Sequence, residues 1–170
     1  MSNDPWLTPA ELRAWTRLEA VVELLPGVLD TQLQHDADLS HYEYLVLAKL
    51  SEAPGRSLRM SALAAQTNAT LPRLSHVAAR LTARGYLERR QSEQDGRATL
   101  ALLTPAGWDK VVATAPGHAR TVRAHVIDAL SPEQVEQLEA IATAVLHRLD
   151  PHDRLQTRTA PPTETPNPSA

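Results

Sequence analysis

The sequence predicts a mainly α-helical domain with six helices and one small β-hairpin. Four helix starts share one capping pattern, a Ser or Thr before the first turn with an apolar residue on either side. These caps are Thr8, Ser40, Thr104 and Ser131. Between the second and third caps, Asp95 and Gly96 separate two extended runs, which is typical of a hairpin whose turn needs positive φ. Helices are therefore expected to begin near residues 8, 40, 104 and 131, with a hairpin before the third of these starts.

Composition sets the class of the protein. The 170 residues contain no cysteine, which excludes disulfides, thiolate metal sites and a cysteine nucleophile. No apolar run has the length of a membrane span, and the N-terminus lacks the basic and apolar regions of a signal peptide, so a soluble cytoplasmic protein without membrane contact is expected. One domain is predicted over residues 1–150. Residues 151–170 form a Pro/Thr-rich tail in which apolar burial cannot offset the conformational entropy lost on ordering, and they are predicted to be disordered.

The best-marked helix lies in the middle of the chain, over residues 70–85. Thr70 can cap it, and Gly85 is a typical stop after a cationic last turn. Its apolar stripe, expected to pack, consists of Leu71, Leu74, Val77, Ala78 and Leu81. The residues of the opposite, outward face are Arg73, His76 and Arg80.

A winged helix-turn-helix is predicted around that helix, over residues 39–103. A compact helix over residues 60–67 precedes it after a tight turn, and two extended runs at residues 86–91 and 97–103 follow it. Two helices joined by a tight turn and followed by a two-stranded wing make up this lobe.

Charge is segregated along the chain. Residues 56–103 hold eight arginines against three acids and carry +5, whereas the remainder carries −8. A local basic patch is what contact with phosphates requires, although a solvated arginine-rich surface is the plainer alternative. Because the patch coincides with the helix-turn-helix, double-stranded DNA is the expected partner.

Both ends of the chain are predicted to supply dimerisation helices, over residues 8–38 and 104–150. The last helix carries an apolar stripe at a/d spacing, and with no second domain to cover it, a homodimer is expected. The stripe consists of Val135, Leu138, Ala142, Val145 and Leu149. In the first helix a kink or short break is expected at Pro26 and Gly27, because an internal proline costs on the order of 3 kcal/mol.

These elements resemble the MarR family of bacterial transcriptional regulators, dimeric winged-helix proteins that often respond to small aromatic ligands. The similarity runs through Ser-Ala-Leu-Ala at 61–64, Arg-Leu-Thr-Ala-Arg-Gly-Tyr-Leu-Glu-Arg-Arg at 80–90, Asp-Gly-Arg at 95–97 and Leu-Leu-Thr-Pro-Ala-Gly at 102–107. The spacing of the elements is preserved too, and the resemblance covers roughly residues 8–150. It implies binding to a pseudo-palindromic operator, with repression relieved by a small-molecule effector as the default mechanism.

The resemblance also implies which residues contact DNA. Arg97 takes the place of the wing arginine that enters the minor groove, and Asp95 that of the acid that steadies the wing. Recognition-helix positions that face the major groove are Thr70, Arg73, Ser75 and His76. Further basic candidates, for phosphates or for bracing the wing, are Arg80, Arg84 and Arg90. Two departures, Gly96 for the middle wing arginine and His76 where a cation is frequent, leave fewer fixed charges than relatives usually present.

In the family a ligand pocket lies between the dimer helices and the winged lobe. The residues that could line it here are Trp15, His41, Tyr44, Trp108 and His118. Both tryptophans also sit at helical core spacing, so simple packing is the alternative for them. No cofactor or metal is expected. A metal-responsive regulator stays an alternative because the chain has seven histidines, but no pair has an i, i+4 spacing.

An enzyme is not predicted. The sequence holds no glycine-rich phosphate loop, no G-x-S-x-G elbow and no His-Glu metal helix. The remaining alternative is a constitutive DNA-binding or protein-interaction module without a ligand, and the +5 segment argues against the interaction-only form.

Overall fold

A computed structural model of the chain describes residues 5–92 and 95–157. Within these residues the chain forms six α-helices and a three-stranded sheet, which confirms the predicted fold class. The helices are α1 (Pro9–Ala37), α2 (His41–Glu52), α3 (Met60–Gln66), α4 (Leu71–Ala83), α5 (Pro105–His125) and α6 (Pro132–Leu149). The strands are β1 (Ser57–Arg59), β2 (Leu87–Gln91) and β3 (Thr99–Leu103). Short 3-10 turns occupy Pro54–Arg56 and Ile127–Ala129, and the second of them follows the end of α5.

All four predicted helix caps are formed. Thr8, Ser40 and Ser131 each accept a hydrogen bond from the third residue of their helix, whose side chain in turn accepts one from the backbone N–H of the cap. Thr104 caps α5 through the Gly107 N–H, without a reciprocal side chain. These bonds satisfy N–H groups that a helix start otherwise leaves without partners.

The first helix passes through Pro26 without the short break that the sequence indicated as one of two possibilities. The α1 helix is continuous over 29 residues, with Pro26 inside it. Both Pro26 and Gly27 are exposed, so water can solvate the backbone carbonyl that proline leaves without a donor. The turns of regular helix on either side hold the rest of the element together.

The sheet is antiparallel in the order β1-β3-β2, and β2 and β3 form the wing. The predicted positive φ at Gly96 is wrong, because left-handed glycines among the described residues are Gly55 and Gly85. The hairpin loop is longer than a two-residue turn, and its described end is a turn closed by the Ala98 N–H on the Asp95 carbonyl, 2.8 Å apart. Glu93 and Gln94 lie outside the described residues.

The hydrophobic core lies in the winged lobe and leaves two apolar faces uncovered. It joins α2, α3, α4 and the sheet around fully buried leucines, which include Leu47, Leu50, Leu63, Leu74 and Leu81. Only the C-terminal part of α1 enters it, through Leu33 and Ala37. The first half of α1 and all of α6 have no buried residue, and their exposed apolar side chains are Leu12, Trp15, Leu18, Val21, Val22, Leu138, Ile141, Val145 and Leu149.

The C-terminal end of the described chain folds back on α6. The Asp150 carboxylate accepts hydrogen bonds from the Leu155 N–H and the Arg154 side chain, and residues 151–157 form turns. Most of the tail predicted to be disordered, residues 158–170, lies outside the described residues. Of the helices that the structure describes, none is both long enough and apolar enough to cross a lipid bilayer.

Candidate nucleic-acid interface

The α4 helix presents the polar face that its spacing predicts. Leu74, Val77, Ala78 and Leu81 are buried. Leu71 is the exception, because it is 47% exposed and the prediction that it packs is wrong. It is the first residue of the helix, where the chain arrives from a surface turn rather than from the core. The exposed residues of α4 include Arg73, His76 and Arg80, and Ser75 is half-buried.

Both ends of α4 are fixed by its own sequence. The Thr70 hydroxyl accepts a hydrogen bond from the Arg73 N–H at 3.4 Å, so this residue serves as the helix cap. At the other end, Gly85 has a φ of +77°. The Tyr86 N–H then bonds to the Leu81 carbonyl and the Gly85 N–H to the Thr82 carbonyl, a Schellman stop. The helix that carries the outward face is therefore capped at each terminus by its own residues.

Two arginines of α4 are held by acids from other parts of the chain. Arg80 lies 2.9 Å from Glu43, a buried carboxylate in the first turn of α2. Arg84 lies 2.9 Å from Asp38, which ends α1 in a left-handed conformation. These ion pairs join the recognition helix to the helices before it. Neither pairing could be predicted from the sequence, because the partners are far apart along the chain and no local pattern links them.

The wing contains a second set of paired charges. Arg90 makes two hydrogen bonds to Glu88, at 3.0 and 2.8 Å, along the exposed face of β2. Asp95 accepts a hydrogen bond from the Arg97 backbone N–H at 3.2 Å and lies 3.7 Å from the Arg59 guanidinium. Asp95 thus ties the wing loop to β1.

The remaining arginines of the basic segment have no acidic partner within residues 5–92 and 95–157. Arg73 and Arg56 lie over aromatic rings, those of Tyr42 and Trp108 respectively. Arg89 and Arg97 are exposed, and their guanidinium groups have no hydrogen bond in the described part of the chain. The charge count alone does not separate these arginines from the paired ones. Arg73 on α4 and Arg97 on the wing are the two predicted contacts whose guanidinium groups are available to an external anion.

The base of the wing is joined closely to α5. The Thr104 hydroxyl donates to the Gly85 carbonyl at 2.7 Å, and the Thr104 N–H bonds to the Tyr86 carbonyl at 3.2 Å. Gly107 packs directly on the Tyr86 carbonyl and the Leu103 side chain, and a Cβ at this position would overlap both. The Leu-Leu-Thr-Pro-Ala-Gly motif is therefore a structural joint between the recognition helix, the wing and α5.

The predicted ligand-pocket residues fall into two groups. His41, Tyr44 and His118 lie together where α2 meets α5, with the His118 ring 4.8 Å from Tyr44 and 6.1 Å from His41 between centroids. Trp108 is instead partly buried against the core beneath Arg56, 3.6 Å from its ring centroid. Trp15 is 50% exposed in the uncovered half of α1.

The histidine group is poorly solvated. Burial lowers the pKa of His118, and the neighbouring His41 adds to the effect. Burial also lowers the pKa of His41, and the nearby Asp30 carboxylate offsets part of this decrease. The His118 Nδ1 and the Gln32 Oε1 are buried polar atoms without a hydrogen-bond partner in the part of the chain that the structure describes. No group of three or more potential metal ligands occurs among the residues described.

Comparisons with known proteins agree with this architecture. A model of the MarR family matches residues 37–98. The DNA-bound crystal structure of Sco3205, a MarR family transcriptional regulator from Streptomyces coelicolor, is 40% identical, with a TM-score of 0.83 over 89% of this chain and 96% of that one. AbsC, another MarR family regulator from the same organism, is 35% identical, with a TM-score of 0.80 over 86% and 98% of the two chains.

A more distant relative is the uncharacterised HTH-type transcriptional regulator YdcH of Bacillus subtilis (strain 168). It is 32% identical over 81 residues, which are 46% of this chain and 55% of YdcH, so the alignment spans about half of that relative. The similarity to Sco3205 and AbsC, in contrast, extends over nearly their whole length. The chain therefore belongs to the MarR family of transcriptional regulators.

Proposed function

We propose that the protein is a homodimeric regulator that binds a pseudo-palindromic operator in double-stranded DNA. In this arrangement α4 enters the major groove and the wing reaches into the adjacent minor groove. The observation that most directly supports DNA binding is that α4 and the wing each present an arginine without an acidic partner among the described residues. These arginines are Arg73 and Arg97. The DNA-bound state of Sco3205 supports the same assignment by similarity.

The paired arginines receive a different role in this proposal. Arg80, Arg84 and Arg90 already contact carboxylates, so a phosphate would have to compete with Glu43, Asp38 or Glu88 for them. Contacts to base edges and phosphates are therefore proposed first for side chains of α4, its cap and the wing that have no acidic partner among the described residues. This set consists of Thr70, Arg73, Ser75, His76, Arg89 and Arg97.

The dimer is proposed from the uncovered apolar faces. Burying large apolar side chains contributes about 1.5–3 kcal/mol each, and those on α1 and α6 have no cover in their own chain among the described residues. A second copy supplies matching faces by two-fold symmetry. Residues 8–38 and 104–150 are the proposed dimerisation regions, and residues 39–103 the DNA-binding lobe.

The test is binding of the full chain to duplexes enriched from a random library, followed by a salt titration. Wild-type binding is expected to weaken steeply with salt. Arg97→Ala and Arg73→Ala are each expected to weaken binding by about 1–3 kcal/mol. The matched control is Arg123→Ala, an exposed arginine on the last turn of α5 that pairs with Asp128. An equal effect of all three variants would contradict the assignment, and absence of any enriched duplex at low salt would favour a protein-interaction module.

Repression relieved by a small effector is the proposed mode of regulation, and His41, Tyr44 and His118 are its proposed site. The buried His118 Nδ1, which has no hydrogen-bond partner among the described residues, favours a ligand with a polar group at this place. Thermal shifts with a panel of aromatic carboxylates, and with zinc in the presence and absence of chelator, separate an organic effector from a metal. No shift in either series would favour a constitutive DNA-binding protein.

A further inference from the structure

The contact between Arg73 and Tyr42 joins the recognition helix to the first turn of α2. The Arg73 guanidinium carbon lies 4.4 Å from the centroid of the Tyr42 ring. No described residue accepts a hydrogen bond from this guanidinium, so its N–H donors stay available while the ring holds its position. An arginine over an aromatic face is attracted by about 0.5–1 kcal/mol at an exposed site.

The Tyr42 ring is itself fixed by a hydrogen bond to a third helix. Its hydroxyl lies 3.0 Å from the Thr67 Oγ1, at the end of α3. The Thr67 hydroxyl is 2.7 Å from the Leu63 carbonyl, to which it must donate because a carbonyl only accepts. Tyr42 is therefore the donor to Thr67. One line of contacts runs from Leu63 through Thr67 and Tyr42 to Arg73.

A fixed ring beneath the Arg73 guanidinium would favour recognition of a DNA base. A free arginine side chain carries about 2 kcal/mol of rotamer entropy, part of which is lost when both ends of its fork bind guanine O6 and N7. A guanidinium that already rests on a fixed ring loses less of that freedom on binding. His76, one turn further along the same face, has no ring or hydrogen-bond contact within the described residues.

We infer that Tyr42 is a positioning residue, which orients Arg73 to read one guanine in each operator half-site. The inference rests on the proposed DNA-binding function. It assigns base specificity to a side chain of α2 that acts through the recognition helix.

The experiment compares the sequences that the full-length wild type and four variants enrich from a random duplex library. The wild type is expected to enrich a symmetric motif that contains a guanine in each half-site, and Arg73→Ala is expected to lose the preference at that guanine. Tyr42→Leu and Tyr42→Met are expected to lower the preference for guanine at the same position by about 2- to 5-fold. Preferences at the other positions should stay unchanged. Tyr42→Phe, which keeps the ring, should retain most of the guanine preference.

The outcomes are distinguishable. If the wild type enriches no motif, the proposed function fails, and the role of Tyr42 fails with it because it rests on that function. If Arg73→Ala loses the preference for guanine and Tyr42→Met keeps it fully, the positioning role is wrong. A uniform loss at every position in Tyr42→Met would indicate a structural role only and would also overturn the inference. Tyr42→Met fills the space of the ring with a flexible apolar chain, so it serves if Tyr42→Leu does not fold.

Discussion

Arg80 of the recognition helix contacts the buried carboxylate of Glu43, with its Nη2 2.9 Å from the Glu43 Oε1. The other oxygen of the same carboxylate accepts a hydrogen bond from the Ser40 N–H at 2.8 Å. Glu43 thus closes the cap of α2 with one oxygen and holds α4 with the other. The placement of the recognition helix depends on this carboxylate as well as on apolar packing.

Loss of Arg80 should therefore reduce stability. In Arg80→Ala the Glu43 carboxylate stays buried without its cationic partner, and we expect a loss of about 1–3 kcal/mol in the free energy of unfolding. Urea denaturation measures it. Arg89→Ala, an exposed arginine without an acidic partner in the described chain, is the control and should stay within about 0.5 kcal/mol of the wild type. Equal stability of the two variants would show that the ion pair contributes nothing.

Gly107 offers a test of the joint between the wing and α5. Alanine is normally favoured over glycine in a helix by about 1 kcal/mol. Here the added Cβ would overlap the Tyr86 carbonyl, so Gly107→Ala is expected to destabilise the fold by about 1–3 kcal/mol. Gly96→Ala, at a position with open space, should change stability by less than 1 kcal/mol. Thermal unfolding of both variants gives the comparison, and a more stable Gly107→Ala would contradict the close contact.

The histidine group should make stability depend on pH. Burial lowers the folded-state pKa of His118 and of His41 below the ordinary histidine value of 6.5, so the unfolded chain binds protons first as the pH falls. Stability is then fully present above pH 6.5 and is lost as the pH falls through the folded-state values. Melting temperatures between pH 7.5 and pH 5 should fall less steeply for His118→Gln than for the wild type. A slope for His118→Gln as steep as that of the wild type would contradict this contribution of His118.

The uncovered face of α6 predicts the oligomeric state. Ile141 is 61% exposed in the middle of this helix. A charge at this position would be buried in the proposed dimer, so Ile141→Glu should dissociate it while the winged lobe keeps its fold. Sedimentation equilibrium and circular dichroism measure the two properties. Glu136→Gln on the same helix is the control, and a wild-type monomer at micromolar concentration would exclude the dimer.

Local features were the most predictable from the sequence. The caps at Thr8, Ser40, Thr104 and Ser131 and the helix stop at Gly85 each depend on a few neighbouring residues, and all were found as predicted. Periodicity identified the buried face of α4, because apolar residues at helical spacing fall on one side of the helix and pack into the core of the winged lobe.

Long-range pairings were not predictable. Arg84 and Asp38 are 46 residues apart in sequence, and nothing local indicates that they meet. The basic segment was visible as a charge sum, but its division into paired and unpaired arginines depends on the packing of α2 and α4. Residue type alone was also insufficient at Pro26 and Gly96. The effect of Pro26 on the helix depends on solvent exposure, and the backbone conformation of Gly96 depends on the length of its loop.

The joint at Tyr86 and Gly107 turns α5 into a lever arm. The helix runs for 21 residues from this joint, a length of about 30 Å. A rotation of α5 by about 5° about its C-terminal end would displace the wing base, at its N-terminal end, by about 3 Å. This is close to the spacing of about 3.4 Å between successive bases of one DNA strand. In the proposed dimer on DNA, small rotations between the two subunits would thus change the register of the wings without unfolding any part of the winged lobe.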